Sequence, residues 1–178
     1  MKHTVRPEER IHLGILGTPG SMRAVNSFLR MSLLFNENIG QISIISEMAD
    51  PLGEDLTNLV RQSGIAVYIT HDINEVVSEL DVIYMNSIAF LGDSYKSLDS
   101  RFKLDAETKL KEDAVVLHPL ARLDELDPIL DGTHHNLYFT QAHGAVFVRQ
   151  ALFISILNRF DHLPIEQLPL VNEPGEVE

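Results

Sequence analysis

The chain has 178 residues, 44% of them hydrophobic and 22% charged, a composition that suits one globular domain with a sizeable core. Its formal net charge is −12 and its 14 Lys and Arg residues are scattered singly, which argues against nucleic acid as a partner. It has no cysteine, which excludes thiolate catalysis and disulfides. No apolar run approaches the roughly 20 residues that span a bilayer, and no signal pattern opens the chain, so no membrane partner and a cytoplasmic location are expected.

Residues 1–10 are polar, carry Pro7 and read as a leader. Ile11-His12-Leu13-Gly14-Ile15-Leu16-Gly17 alternates and ends in glycine, as a first strand entering a tight turn does. Thr18-Pro19-Gly20-Ser21 is that turn, and Ser21 is the expected N-cap of a helix carrying Ala24, Val25, Phe28, Leu29, Leu33 and Leu34 near one face. A second strand is expected over 41–46, a helix over 54–63 stopped by Gly64, and a third strand over 65–70. Asp72 should cap a short helix running to Leu80, followed by a fourth strand over 81–85.

Residues 86–104 are less regular, and a short helix is expected over 105–111. The β-branched run Val115-Val116-Leu117 then opens at His118-Pro119 into a loop, the form of a buried parallel strand whose carboxyl end faces a ligand. A short extended run is expected at 136–139 and a long helix over 141–160. That helix is apolar nearly all round, so more than one side of it needs cover. Residues 161–178 read as an irregular acidic tail. The alternation of strands and helices predicts an α/β fold: three layers, Rossmann-like, with a mainly parallel sheet and helices on both faces.

Few constellations point to chemistry. The turn Gly17 to Arg23 lacks GxGxxG spacing, and Pro19 removes an N–H that would face a pyrophosphate, so no nucleotide cofactor is expected. Arg23 at a helix start has two readings, a carboxylate clamp or a solvated surface residue. His118 likewise is either an acid/base group or a histidine that bonds nearby backbone and shapes the turn. His134-His135 has no third ligand at a recognisable spacing, so no metal is expected. Arg122, Asp124 and Glu125 read as surface or turn-stabilising pairs.

Leu117-His118-Pro119-Leu120-Ala121-Arg122-Leu123-Asp124-Glu125-Leu126, with Tyr138-Phe139-Thr140-Gln141-Ala142 and Phe147-Val148-Arg149-Gln150-Ala151-Leu152, resembles the carboxyl-terminal half of the aspartate carbamoyltransferase family. The family motif is LHPLPR-x-DE, from which Ala121 departs by replacing a proline. Gly17 to Ser27 and Asp81 to Met85 are similar to the family's first βα turn and to the strand before its T-R-x-Q-x-E-R segment. The resemblance covers 11–160 and implies the amino-acid-binding domain of an enzyme whose other domain binds carbamoyl phosphate.

No counterpart of the family's carbamoyl phosphate motifs precedes Ile11, which implies a chain that lacks the electrophile site by itself. Arg23 stands at the position implied to contact a substrate α-carboxylate. Pro119 and Leu120 stand where backbone carbonyls meet the amino group and the carbamoyl moiety. Ser87, Ala89 and Gly92 replace the arginine, glutamine and final arginine of T-R-x-Q-x-E-R, so the clamp on a side-chain carboxylate is altered and aspartate should bind poorly. The ligand expected is an amino acid or small carboxylate. The partner expected is a protein carrying a carbamoyl phosphate domain, or further copies of the chain. Two functions follow: a binding or assembly domain inactive alone, or the amino-acid half of a split carbamoyltransferase acting on an amino acid other than aspartate.

Overall fold

A computed structural model describes residues 10–86 and 99–157. The leader, the segment 87–98 with Ser87, Ala89 and Gly92, and the acidic tail lie outside the described residues. The chain divides into two compact units, 1–142 and 143–178.

The first unit is built on five strands: β1 (Ile11–Leu16), β2 (Ile39–Ile45), β3 (Ala66–Thr70), β4 (Val82–Tyr84) and β5 (Val115–Leu117). All are parallel, in the order β3-β2-β1-β4-β5. This is an α/β, Rossmann-like sheet, and its order reverses between β1 and β4. The apolar runs read as strands because a parallel strand is covered on both faces.

Alternation along the strands sends residues to two cores. On one face, Leu13 and Ile15 of β1 join Ile42, Ile44 and Tyr84 beneath α1 (Arg23–Ser32) and α2 (Gly53–Ser63). Phe28 of α1 stacks on Tyr84 with centroids 3.9 Å apart. On the other face, Leu16, Ile45, Ile83 and Val116 pack with Ile73, Leu80, Phe102, Leu126 and Tyr138. That second layer consists largely of short 3-10 turns. A Cβ at Gly14 would lie 2.4 Å from Leu80 Cδ1, so glycine lets the 77–80 turn close onto β1.

Several local expectations shift. Asp72 does cap, accepting from Asn74 N, but the segment to Leu80 forms two 3-10 turns. Gly64 ends α2 with φ +71, as expected of a left-handed C-cap. The 105–111 helix is replaced by a turn in which Asp105 N donates to Thr108 Oγ1 and Thr108 Oγ1 donates to Asp105 Oδ1. Such side-chain bonds offer the backbone an alternative to the helix. The run at 136–139 makes one bridge, Val116 to Asn136, and the last helix, α3 (Tyr138–Leu157), already begins at Tyr138.

Candidate functional site

Because every strand is parallel, the turn after β1, Asn86 after β4 and His118 after β5 stand on one edge of the sheet, the carboxyl edge, at the reversal of strand order. A crevice at that point is where open α/β sheets place ligands. Asn86 Nδ2 lies 4.0 Å from Met22 Sδ, and Met85 N donates to Leu117 O at 2.9 Å, which ties the three strand ends together.

The first turn is rigidly held. Thr18 O accepts from Ser21 N at 3.0 Å and Met22 N at 2.8 Å, Gly20 N donates to Pro51 O, and Asn26 Nδ2 donates to Pro19 O. A Cβ at Gly20 would meet Leu52 O at 3.0 Å, and Gly17 takes φ +133, so both positions require glycine. The Ser21 hydroxyl is turned to Thr18 O at 3.5 Å, and Met22 occupies the N-cap without a side-chain bond. α1 therefore begins at Arg23 with no acidic residue in its first turn and with its amino end uncapped by a side chain. Arg23 is exposed and makes no ion pair among the described residues.

The β5 end is organised by a fully buried histidine. His118 Nδ1 accepts from Leu120 N at 2.9 Å, which leaves Nε2 to donate to Glu125 Oε1 at 2.9 Å. Glu125 also accepts from Leu123 N at 2.9 Å and is 2% exposed. Burial pushes the Glu125 carboxyl up, but the hydrogen bonds from His118 and the Leu123 N–H outweigh it and hold the group below the usual carboxylate range. His118 N donates to Gln141 Oε1 at 2.9 Å, joining the strand end to the first turns of α3. Of the two readings of His118, this geometry is that of the turn-shaping residue.

The loop so fixed presents exposed Pro119 and half-buried Leu120, the latter at φ +56, with a cis peptide to Ala121. Neither of their carbonyls accepts a hydrogen bond among the described residues. Arg122 is committed elsewhere: its fork grips Asp131 through both nitrogens, and Tyr138 OH donates to the same carboxylate. Burial, then the bond to Asp131, pushes Tyr138 up to about 12. His134 and His135 are held to backbone, through Nε2 to Glu112 O and Nδ1 to Ala114 O. Glu125 is the turn-stabilising residue of the two readings given for it, although its partner is His118; Gln141 is an organiser that no feature of the sequence singles out. A glutamate seven residues after a histidine gives no spacing signal, because only the loop's return brings them together.

An open, all-parallel sheet whose strand order reverses between β1 and β4 defines the class: an α/β domain of the doubly wound type. A family model described as "Aspartate/ornithine carbamoyltransferase, Asp/Orn binding domain" matches residues 9–156. The chain belongs to the aspartate/ornithine carbamoyltransferase family and is its amino-acid-binding domain.

The aspartate carbamoyltransferase catalytic subunit of Pyrobaculum islandicum is 32% identical over 153 residues, covering 83% of this chain and 49% of that protein. Ligand-free aspartate transcarbamoylase of Trypanosoma cruzi superposes with a TM-score of 0.66 at 26% identity, covering 82% of this chain and 49% of that one. The same enzyme with aspartate and phosphate gives 0.64 at 25% identity over 82% and 46%. The chain thus spans about half the length of the relatives it matches.

Proposed function

We propose that this domain binds the common end of an amino acid or small carboxylate at the β1/β4/β5 edge, and that its 178 residues transfer no carbamoyl group unaided. The observation that carries this reading is that Arg23, which makes no ion pair among the described residues, stands at a helix start without a side-chain cap, on the same sheet edge as the Pro119 and Leu120 carbonyls, which accept no hydrogen bond among the described residues. The cation and helix N–H groups suit an α-carboxylate, and carbonyls suit an ammonium or amide. Holding a nucleophile in one pose is a contribution to catalysis only when an electrophile is delivered to it. A carbamoyl-phosphate-binding domain, supplied outside these residues, would do so.

The sequence at Ser87, Ala89 and Gly92 offers no cation to a side-chain carboxylate, which supports weak aspartate binding. A second reading follows from the same segment. Ser87, Ala89 and Phe90 suit a neutral or apolar side chain, and the chain then supplies the amino-acid half of a split transferase.

The test is calorimetric titration with aspartate and a panel of neutral amino acids, followed by an assay with carbamoyl phosphate. The expected result is weak, Arg23-dependent binding and no carbamoylated product from the chain alone. Carbamoyl-aspartate above background would overturn the first reading. Product from a neutral amino acid only after a carbamoyl phosphate domain is added would select the second.

A further inference from the structure

We propose that the β3 edge of the sheet pairs with the same edge of a second copy of this chain, antiparallel about a two-fold axis at Tyr68, so that one sheet runs through both copies. The pairing needs no ligand and is independent of the function proposed above.

The two edges of the sheet differ. On β5, Val116 N donates to His135 O at 2.7 Å and Leu137 N donates to Val116 O at 3.1 Å, so the chain at 135–137 covers that edge. β3 has β2 on one side, and no described residue bonds to the other. Along a parallel ladder, alternate residues turn their N–H and C=O to the neighbouring strand. Ser46 N donates to Thr70 O at 3.1 Å, so Thr70, Tyr68 and Ala66 turn their backbone polar groups to β2, while Val67 and Ile69 turn theirs outward. Among the described residues those outward groups have no partner. Native sheet edges are blunted by charge, proline or a bulge. Ala66-Val67-Tyr68-Ile69-Thr70 has no charge and no proline, and its register with β2 runs through all five residues without a shift. Tyr68 is 47% exposed and Ile69 39%.

The register selects a second copy as the occupant. In an antiparallel pair, opposed residues that exchange both bonds alternate with opposed residues that exchange none. With Tyr68 opposite Tyr68 of the other copy, Val67 meets Ile69 and Ile69 meets Val67. The outward groups of both copies are then satisfied together, by four bonds in all. Tyr68 falls at the non-hydrogen-bonded position, where opposed side chains come closest, and the flanking pairs are β-branched. Each copy offers the same strip, so the contact is its own complement, as a two-fold interface requires. Because 135–137 already covers β5, the sheet stops at two copies. The chain's own remaining segments suit the edge less. Residues 1–9 hold Lys2, Arg6, Pro7, Glu8 and Glu9, and 158–178 hold Pro164, Pro169 and Pro174. Proline cannot donate to a ladder. Two chains of net charge −12 repel at a distance, and a strip without charge lets them meet without adding close like-charge pairs.

Sedimentation velocity of the full chain, in about 0.15 M salt to screen its net charge, measures the association. Five residues a side is a small interface, so a monomer–dimer equilibrium with a Kd of roughly 10–100 μM is expected. Ile69→Pro removes two of the four bonds through an N–H that bonds nothing within the fold, and should weaken the dimer at least about tenfold. Register is read separately by oxidative cross-linking, since the chain has no cysteine of its own. Tyr68→Cys sets two thiols across the axis within reach of a disulfide, and a covalent dimer is expected. Ala66→Cys lies on the same face of the strand, but its two copies stand about 14 Å apart in this register, so its cross-linking should be at least about tenfold slower. A chain that stays monomeric to about 1 mM overturns the inference. So does a dimer that Ile69→Pro leaves intact, with far-UV circular dichroism showing the variant folded. If Ile69→Pro does not fold, the two cysteine variants decide: equal cross-linking overturns the pairing, and the expected contrast supports it.

Discussion

Glu125 is the residue on which the β5 loop depends. It accepts from the His118 ring and from Leu123 N, and His118 in turn accepts from Leu120 N, so one carboxylate fixes the backbone that offers the Pro119 and Leu120 carbonyls. Glu125→Ala removes the acceptor of the buried His118 Nε2 and of the half-buried Leu123 N–H, and is expected to destabilise the domain by about 2–4 kcal/mol in urea unfolding. Because its folded pKa is depressed, its stabilising contribution is full above the unfolded carboxylate range and is lost as pH falls through the folded value. Glu125→Gln should therefore flatten the acid limb of the stability profile measured by thermal melts across pH. Arg23 is the opposite case. It is exposed and makes no ion pair among the described residues, so Arg23→Ala should change stability by less than about 0.5 kcal/mol while abolishing carboxylate binding in calorimetry.

At the scale of elements, two glycines separate conformation from space. Gly64 takes φ +71 with open surroundings, so Gly64→Ala carries only the left-handed penalty, about 1 kcal/mol. Gly14 has an ordinary φ but faces Leu80, so Gly14→Ala is expected to cost about 1–3 kcal/mol through overpacking. Chemical denaturation of both variants checks the contrast.

The strands and α2 were legible because period-two runs, apolar stretches and a terminal glycine carry their own signals. α1 starts one residue after the Ser21 cap that the sequence suggests, because Thr18 O gathers the donors of the turn. The helical pattern of 105–111 gives way to a turn because Asp105 and Thr108 bond each other. Of the proposed site, Arg23, Pro119 and Leu120 are named by motif resemblance. Glu125 reads as turn-stabilising from its place in the loop, but its pairing with His118 and the role of Gln141 carry no sequence signal, because they arise from contacts across a loop and between β5 and α3.

For the whole molecule, the division of labour on the carboxyl edge matters most. The described half of the proposed site is made of carbonyls, helix N–H groups and one arginine, on elements whose neighbours Met85 and Phe102 are 0% and 2% exposed. On the function proposed, the choice of side chain falls to the sequence of 87–98, while Met85 and Phe102 on either side of it belong to that core. Ser87→Arg with Ala89→Gln is expected to raise aspartate affinity about tenfold or more, since a bidentate charge pair replaces none. Unchanged affinity in titration calorimetry would show that the segment is aligned out of register. If the proposed function holds, the same separation makes the residues between Met85 and Phe102 an exchangeable cassette. Libraries confined to that stretch retune which amino acid is recognised while the folding of the host and its grip on the ligand backbone are inherited intact.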